Sequence, residues 1–253
     1  MNRSRARFFI LIAAALAVAI PTIAEEAALP ARTDAPSFQD FGNSLQVYFS
    51  PGFSYLYGRD ALNDRLAENS YPGVRPAHPA SGVGLRAVMG RYVLGLEGYG
   101  FSGKSRSSAA HTVSAAGGFV TLNFGYALVS SGAFRLYPLM GLGAGGTALR
   151  IEERAVPDFD GALADPGHGI TISTGGPLVN ASLQAEYLFR LVNRGGIMVG
   201  LQAGYMYQFY DPGWYLAGAS GGRDMSDHKV KGGPEFRLKG FYGGLRLGWA
   251  VLF

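Results

Sequence analysis

Residues 244–253 read GLRLGWAVLF. In an extended chain successive side chains point to opposite faces. Leu245, Leu247, Trp249, Val251 and Phe253 therefore share one face, and Gly244, Arg246, Gly248, Ala250 and Leu252 share the other. In water this segment would be an aggregation-prone edge strand with a wholly apolar face. Closing it into a membrane barrel removes both problems, because hydrocarbon bathes the apolar face and another strand takes up the free edge.

The same period of two runs back through the chain. In LQVYFSPGFSYLY, residues 45–57, Leu45, Val47, Phe49, Phe53, Tyr55 and Tyr57 alternate with Gln46, Tyr48, Ser50, Gly52 and Ser54. Similar segments recur at about 82–89, 92–102, 112–128, 133–150, 170–190, 196–210 and 236–253, which predicts eight strands. Their joins alternate between short (90–91, 129–132, 192–196) and long and polar (59–81, 103–111, 151–169, 211–235). Alternating short and long connections are the mark of an up-and-down antiparallel barrel with one tight end and one looped end. A soluble carrier barrel would turn its large apolar side chains inward. Here each strand has a large apolar face and a small or polar one: Val179, Leu183 and Phe189 alternate with Asn180, Gln184 and Glu186. A polar lumen inside an apolar exterior is the membrane arrangement. Tyr92, Tyr126, Phe189, Trp249 and Phe253 should form an aromatic belt near the tight end, and Tyr57, Phe101, Tyr207 and Phe209 a second one near the loops.

The N-terminus sets the compartment. Arg3, Arg5 and Arg7 precede an apolar run from Phe8 to Ile20, with Thr22 and Ala24 suited to a cut before Glu25. We expect residues 1–24 to be a signal peptide, 25–42 a periplasmic N-terminal arm, and 43–253 the barrel, with both termini periplasmic. Without the three leader arginines the formal charge of +4 falls to about +1. No basic cluster remains, which argues against nucleic acid as a partner. There is no cysteine, so disulfides, thiolate metal sites and cysteine nucleophiles are excluded. The 38 glycines, 16 phenylalanines and 14 tyrosines favour strands and close backbone approach over helices.

The ending RLGWAVLF resembles the C-terminal assembly signal of bacterial outer-membrane proteins, through Arg246, Gly248, Val251 and Phe253. RLYPLMGLGAGG at 135–146 resembles the glycine-rich strand of the small eight-stranded barrels of the OmpA, OmpX and OmpW type. Neither motif selects a subfamily. The resemblance implies a bacterial outer-membrane location, contact with outer-membrane lipid and lipopolysaccharide, and recognition of the last strand by the outer-membrane assembly machinery. It also implies surface loops open to host or cell-surface ligands. The expected function is non-enzymatic, in envelope structure or adhesion; the alternative is a narrow channel for small or hydrophobic solutes, as in OmpW-like barrels.

Ionisable residues on the lumen face must be paired, since a buried lone charge is costly. Arg86, Glu97, Glu186, Gln202 and Arg246 all lie a few residues from the tight end and should form one polar layer, acting as a plug or as a gate. His78, His111, His168 and His228 fall one in each long connection, near Asp158, Asp160, Asp165 and Asp227, without ligand spacing; no metal site and no cofactor is expected. Some eight-stranded barrels are lipid A deacylases or palmitoyltransferases, but His111 and Ser114 of HTVS are three apart and so point to opposite faces, which argues against catalysis. GLGAGG at 141–146 lacks the helix, Lys and Thr of a phosphate loop, so its glycines are expected to make room in the lumen or to bend the wall.

Overall fold

Alternating apolar and polar or small residues draw most of the chain into long strands, and each long strand buries one parity and exposes the other. The computed structural model describes residues 43–103, 105–154, 160, 169–216 and 229–253. The expected signal peptide and arm lie outside the described residues. So do His168, His228, Asp158, Asp165 and Asp227.

Eight long strands form the wall: β1 (Ser44–Leu56), β2 (Ala77–Met89), β3 (Tyr92–Ser102), β4 (His111–Tyr126), β5 (Phe134–Glu153), β6 (Gly169–Val192), β7 (Gly195–Gln208) and β8 (Lys239–Leu252). Every neighbouring pair is antiparallel, in chain order. The sheet closes where β8 pairs with β1, from Ser44↔Leu252 to Leu56↔Gly240. The segment that would have been an open edge is thereby paired on both sides. The tight ends are short as expected: Gly90 turns the β2–β3 hairpin at φ +59°, a conformation glycine adopts without strain.

The loop end departs from expectation in three ways. The first long connection holds a helix, α1 (Asp60–Glu68), with Asp60 in its first turn, Arg65 in its last, and Leu62 and Leu66 buried one turn apart. The Asn63 side chain both donates to Val74 O and accepts from Val74 N, pinning the returning chain against α1. Second, β2 begins at Ala77 rather than near 82, since His78 pairs directly with Ser54; His78 is thus a buried lumen residue with its ring 5.7 Å from Phe101, not a loop residue. Third, the sheet continues past the barrel rim. Arg106–Ser107 pairs with β4, Trp214–Leu216 with β6, and Lys229–Val230 with Trp214–Leu216.

Side chains fill the interior tier by tier. At the tight end Val88, Val93, Ala127, Tyr137 and Leu139 form one apolar cluster, and Tyr48, Leu188, Met198 and Ala250 another. Midway, Tyr99, Phe101, Phe119 and Tyr242 pack with Leu56, Leu178, Met206 and Leu238. At the loop end Leu62, Leu66 and Val74 cap Val113, Ala115, Leu149, Trp214 and Phe236. Phe101, expected in the outer belt, belongs to the interior because its parity on β3 is that of Val93 and Glu97.

Candidate functional site: a luminal ion-pair layer inside an apolar girdle

The lumen-facing parity of five strands brings the expected polar residues into one layer. Arg86 and Glu97 sit diagonally across the β2–β3 hairpin, since Arg86 is opposite Gly95 and Glu97 opposite Gly84. Arg86 Nη2 lies 2.9 Å from Glu97 Oε1, and its Nη1 lies 3.2 Å from Glu186 Oε2. Arg246 Nη2 reaches the same Glu97 oxygen at 3.4 Å, and Gln202 Nε2 donates to the other carboxylate oxygen at 3.4 Å. All four charged side chains are 0–1% exposed. The desolvation cost of such charges is met only by dense hydrogen bonding, and the layer supplies it at the Nη atoms of Arg86 and Arg246, while their Nε atoms have no partner among the described residues.

Much of that bonding comes from residues that the sequence reading does not single out. Gln184 Oε1 accepts from Arg86 Nη2 at 2.6 Å and also from Arg246 Nη1. Tyr137 donates to Glu186 at 2.5 Å and accepts from Arg86; Tyr48 donates to Glu97. Gln46 Nε2 donates to Glu186 Oε1 at 3.2 Å. The Arg246 guanidinium stacks 3.6 Å above the Tyr48 ring. Arg135, fully buried, faces Glu186 in the β5–β6 ladder. Glu186 and Gln202 share the layer, and no hydrogen bond joins them among the described residues. Gln202 instead accepts from Tyr99 at 2.7 Å and donates to Tyr242 at 3.2 Å, which in turn donates to Asn180 at 2.8 Å. The signal that finds these residues is the alternation itself, since Gln46, Tyr48, Tyr137 and Gln184 share the lumen parity with the charges.

Glycines admit the luminal rings. Tyr48 lies over its cross-strand partner Gly84, where an added Cβ would strike the hydroxyl. Tyr242 lies over its partner Gly204 in the same way, with the ring 2.6 Å from such a Cβ. An alanine at either position would push a tyrosine out of the layer.

On the outside, ring contacts mark both rims. Tyr92 meets Tyr126 at 5.5 Å and Tyr187 meets Phe189 at 4.8 Å near the tight end. Near the loops Tyr57 meets Phe241 at 5.8 Å, and Phe241 meets Tyr205 at 5.0 Å. Trp249 pairs with Val47, and from there to Tyr57 a tilted strand rises about 25 Å, the height of an apolar barrel band. Between these girdles no outward position among the described residues carries a charge; Leu85, Leu96, Leu122, Met140, Leu142 and Leu245 are among the exposed side chains there. Only a hydrocarbon solvent suits that surface together with a charged, buried lumen. The chain is a transmembrane β-barrel of the outer-membrane type.

No protein-family profile matches the chain, and no curated protein sequence does. Solved structures that it is similar to include Ail, the attachment invasion locus protein of Yersinia pestis, at 12% identity and TM-score 0.44, covering 83% of this chain and 98% of that one. A major outer membrane protein from Thermus thermophilus matches at 11% identity and TM-score 0.43, over 83% of this chain and 99% of the other. Neisserial surface protein A matches at 11% and 0.34, over 85% and 99%. At such identities and scores these likenesses say nothing of what this barrel binds.

Proposed function

We propose that this protein is a non-enzymatic surface protein of the bacterial outer membrane, a closed anchor whose looped end meets lipopolysaccharide, host or other cell-surface partners. The observation that carries this reading is the stack of buried side-chain layers in the lumen, from the tight-end clusters through the ion-pair layer and the aromatic tier to the α1 cap. An eight-stranded barrel leaves room for little but side chains, and these occupy it. Trp214, in the last long connection, belongs to the cap: it is buried, packs on Phe236 and donates to Pro234 O at 2.8 Å. Partner contact therefore falls to exposed polar positions of the long connections. The last strand, with Arg246, Gly248, Val251 and the exposed Phe253, is the segment we assign to the assembly machinery.

A narrow channel is the second reading, and the shared acceptors favour it. Glu97 and Gln184 each serve both Arg86 and Arg246, so the ion pairs could exchange partners to open a path. Planar-bilayer recordings of the wild type and of R246A test the two together. We expect silent records from both, alongside increased binding of expressing cells to host matrix; stepwise conductance in the wild type, or its appearance in R246A, would establish the channel instead.

A further inference from the structure

His78 is a buried imidazole that the charged layer does not use. It is 1% exposed, and neither ring nitrogen has a hydrogen-bond partner among the described residues. The hydroxyl of Ser54, its cross-strand partner, is buried and equally unpartnered. A neutral imidazole in that position already forgoes its hydrogen bonds; a protonated one would bury a cation with two unmet donors.

Its surroundings offer such a cation no counter-charge. On the β3 side the ring lies 5.7 Å from Phe101, and Gly103 makes room for it, since a Cβ there would fall 2.6 Å from Nδ1. The backbone acceptor beside that spot, Ala115 O of β4, is taken by Gly103 N at 2.7 Å. From α1 the nearest charge is another cation: Arg59, at the head of the helix, turns back to Leu56 O at 3.3 Å with its Nε buried and unpartnered among the described residues. Arg75 lies three residues before His78 on its own segment. The acids of the same connection, Asp60, Asp64 and Glu68, are exposed, and Glu68 is paired with Arg65 at 2.7 Å.

Toward the loop end, the cover over His78 is the α1 cap. Leu56 N donates to Pro76 O at 2.8 Å at the neck, and above it Leu62, Leu66 and Val74 pack with Trp214 and Phe236. That cover has little holding it: nine helical residues, two buried leucines and the paired bonds between Asn63 and Val74. Such a small, locally packed segment opens at far lower cost than the strand wall below it.

We propose that residues 57–76 are an acid-released lid over the loop end of the lumen, with His78 as its trigger. The closed lid suits the neutral ring, and the open lid lets the imidazolium reach water. Closure therefore holds at neutral pH and weakens as the pH falls through the imidazole range. The proposal depends neither on what the loops bind nor on whether the lumen conducts.

The reporter is Trp214, which sits in the cap; W249F removes the other tryptophan, which lies on the outer wall. The full chain carrying W249F is folded into phosphatidylcholine nanodiscs, and acrylamide quenching of Trp214 is measured at about pH 7.5 and about pH 5, either side of the ordinary imidazole value. Companion proteins add H78Q, which cannot ionise, or H111Q, which removes the histidine packed on Tyr71 of the cap. Each is first shown to be folded at both pH values by its heat-modifiable gel migration, with H78N replacing H78Q if the latter does not fold.

We expect the quenching constant of the parent to rise about threefold at the lower pH and to return on neutralisation, with the folded band unchanged. H111Q should respond alike, and H78Q should keep the parent's neutral value throughout. A flat response in the parent, a fall at acid pH, loss of the folded band there, a response that survives in H78Q, or one lost in H111Q would each overturn the proposal. So would open-lid quenching at neutral pH in both H78Q and H78N.

Discussion

Glu97 joins four strands through one carboxylate. Tyr48 of β1, Arg86 of β2, Gln184 of β6 and Arg246 of β8 all direct hydrogen-bond donors at a single oxygen. Removing Arg246 should therefore cost about 3–5 kcal/mol, because it leaves buried charge without its full complement of partners. The E97A/R246A double variant should show coupling of about 1–3 kcal/mol between the two sites. Urea unfolding of the refolded barrel in lipid measures both values. The glycine beneath Tyr242 makes a sharper prediction, since G204A should cost about 1–3 kcal/mol by overpacking, and adding Y242A should relieve that part of the loss. Arg86, Glu97, Glu186 and Arg246 were legible in the sequence because buried charges are rare and share a parity, and Gln202 came with them; Arg135, just inside the wall from Phe134, was passed over. The tyrosines and the other glutamines share that parity but were not singled out, since the same residue types also suit an interfacial belt or a solvated strand face.

At the scale of elements, the strands could be read because each separates two solvents, and that separation imposes a period of two which no helix imitates. Closure of β8 on β1 followed from the same pattern. The misreadings sit at the loop end, where that contrast fades. α1 is nine residues long and offers only Leu62 and Leu66 as a buried pair, too little periodicity to stand out from a polar connection. Residue type alone points Phe101 and Trp214 to the rim, whereas Phe101's strand parity and Trp214's packing on Phe236 send them inward. The cap that α1 builds with Trp214 and Phe236 has a local consequence. L62A/L66A should expose residues 57–76 to protease, at about 2–5 kcal/mol per truncated leucine, while the barrel keeps its folded gel migration. Loss of the folded band in that variant would mean that α1 is part of the barrel's own stability.

For the whole molecule, one division governs the rest: hydrocarbon outside, paired charge and packed rings inside. It explains how a wall of leucines and aromatics coexists with buried arginines, and why the terminal segment needs no polar cover. A spin-label scan of residues 244–252 in liposomes tests that division most directly, by comparing collisions with oxygen and with a water-soluble nickel chelate. Labels at Leu245, Leu247 and Trp249 should show high oxygen and low nickel accessibility, and labels at Arg246, Gly248 and Ala250 should show little of either. Nickel access at the leucines, or no alternation along the segment, would contradict a membrane-spanning barrel.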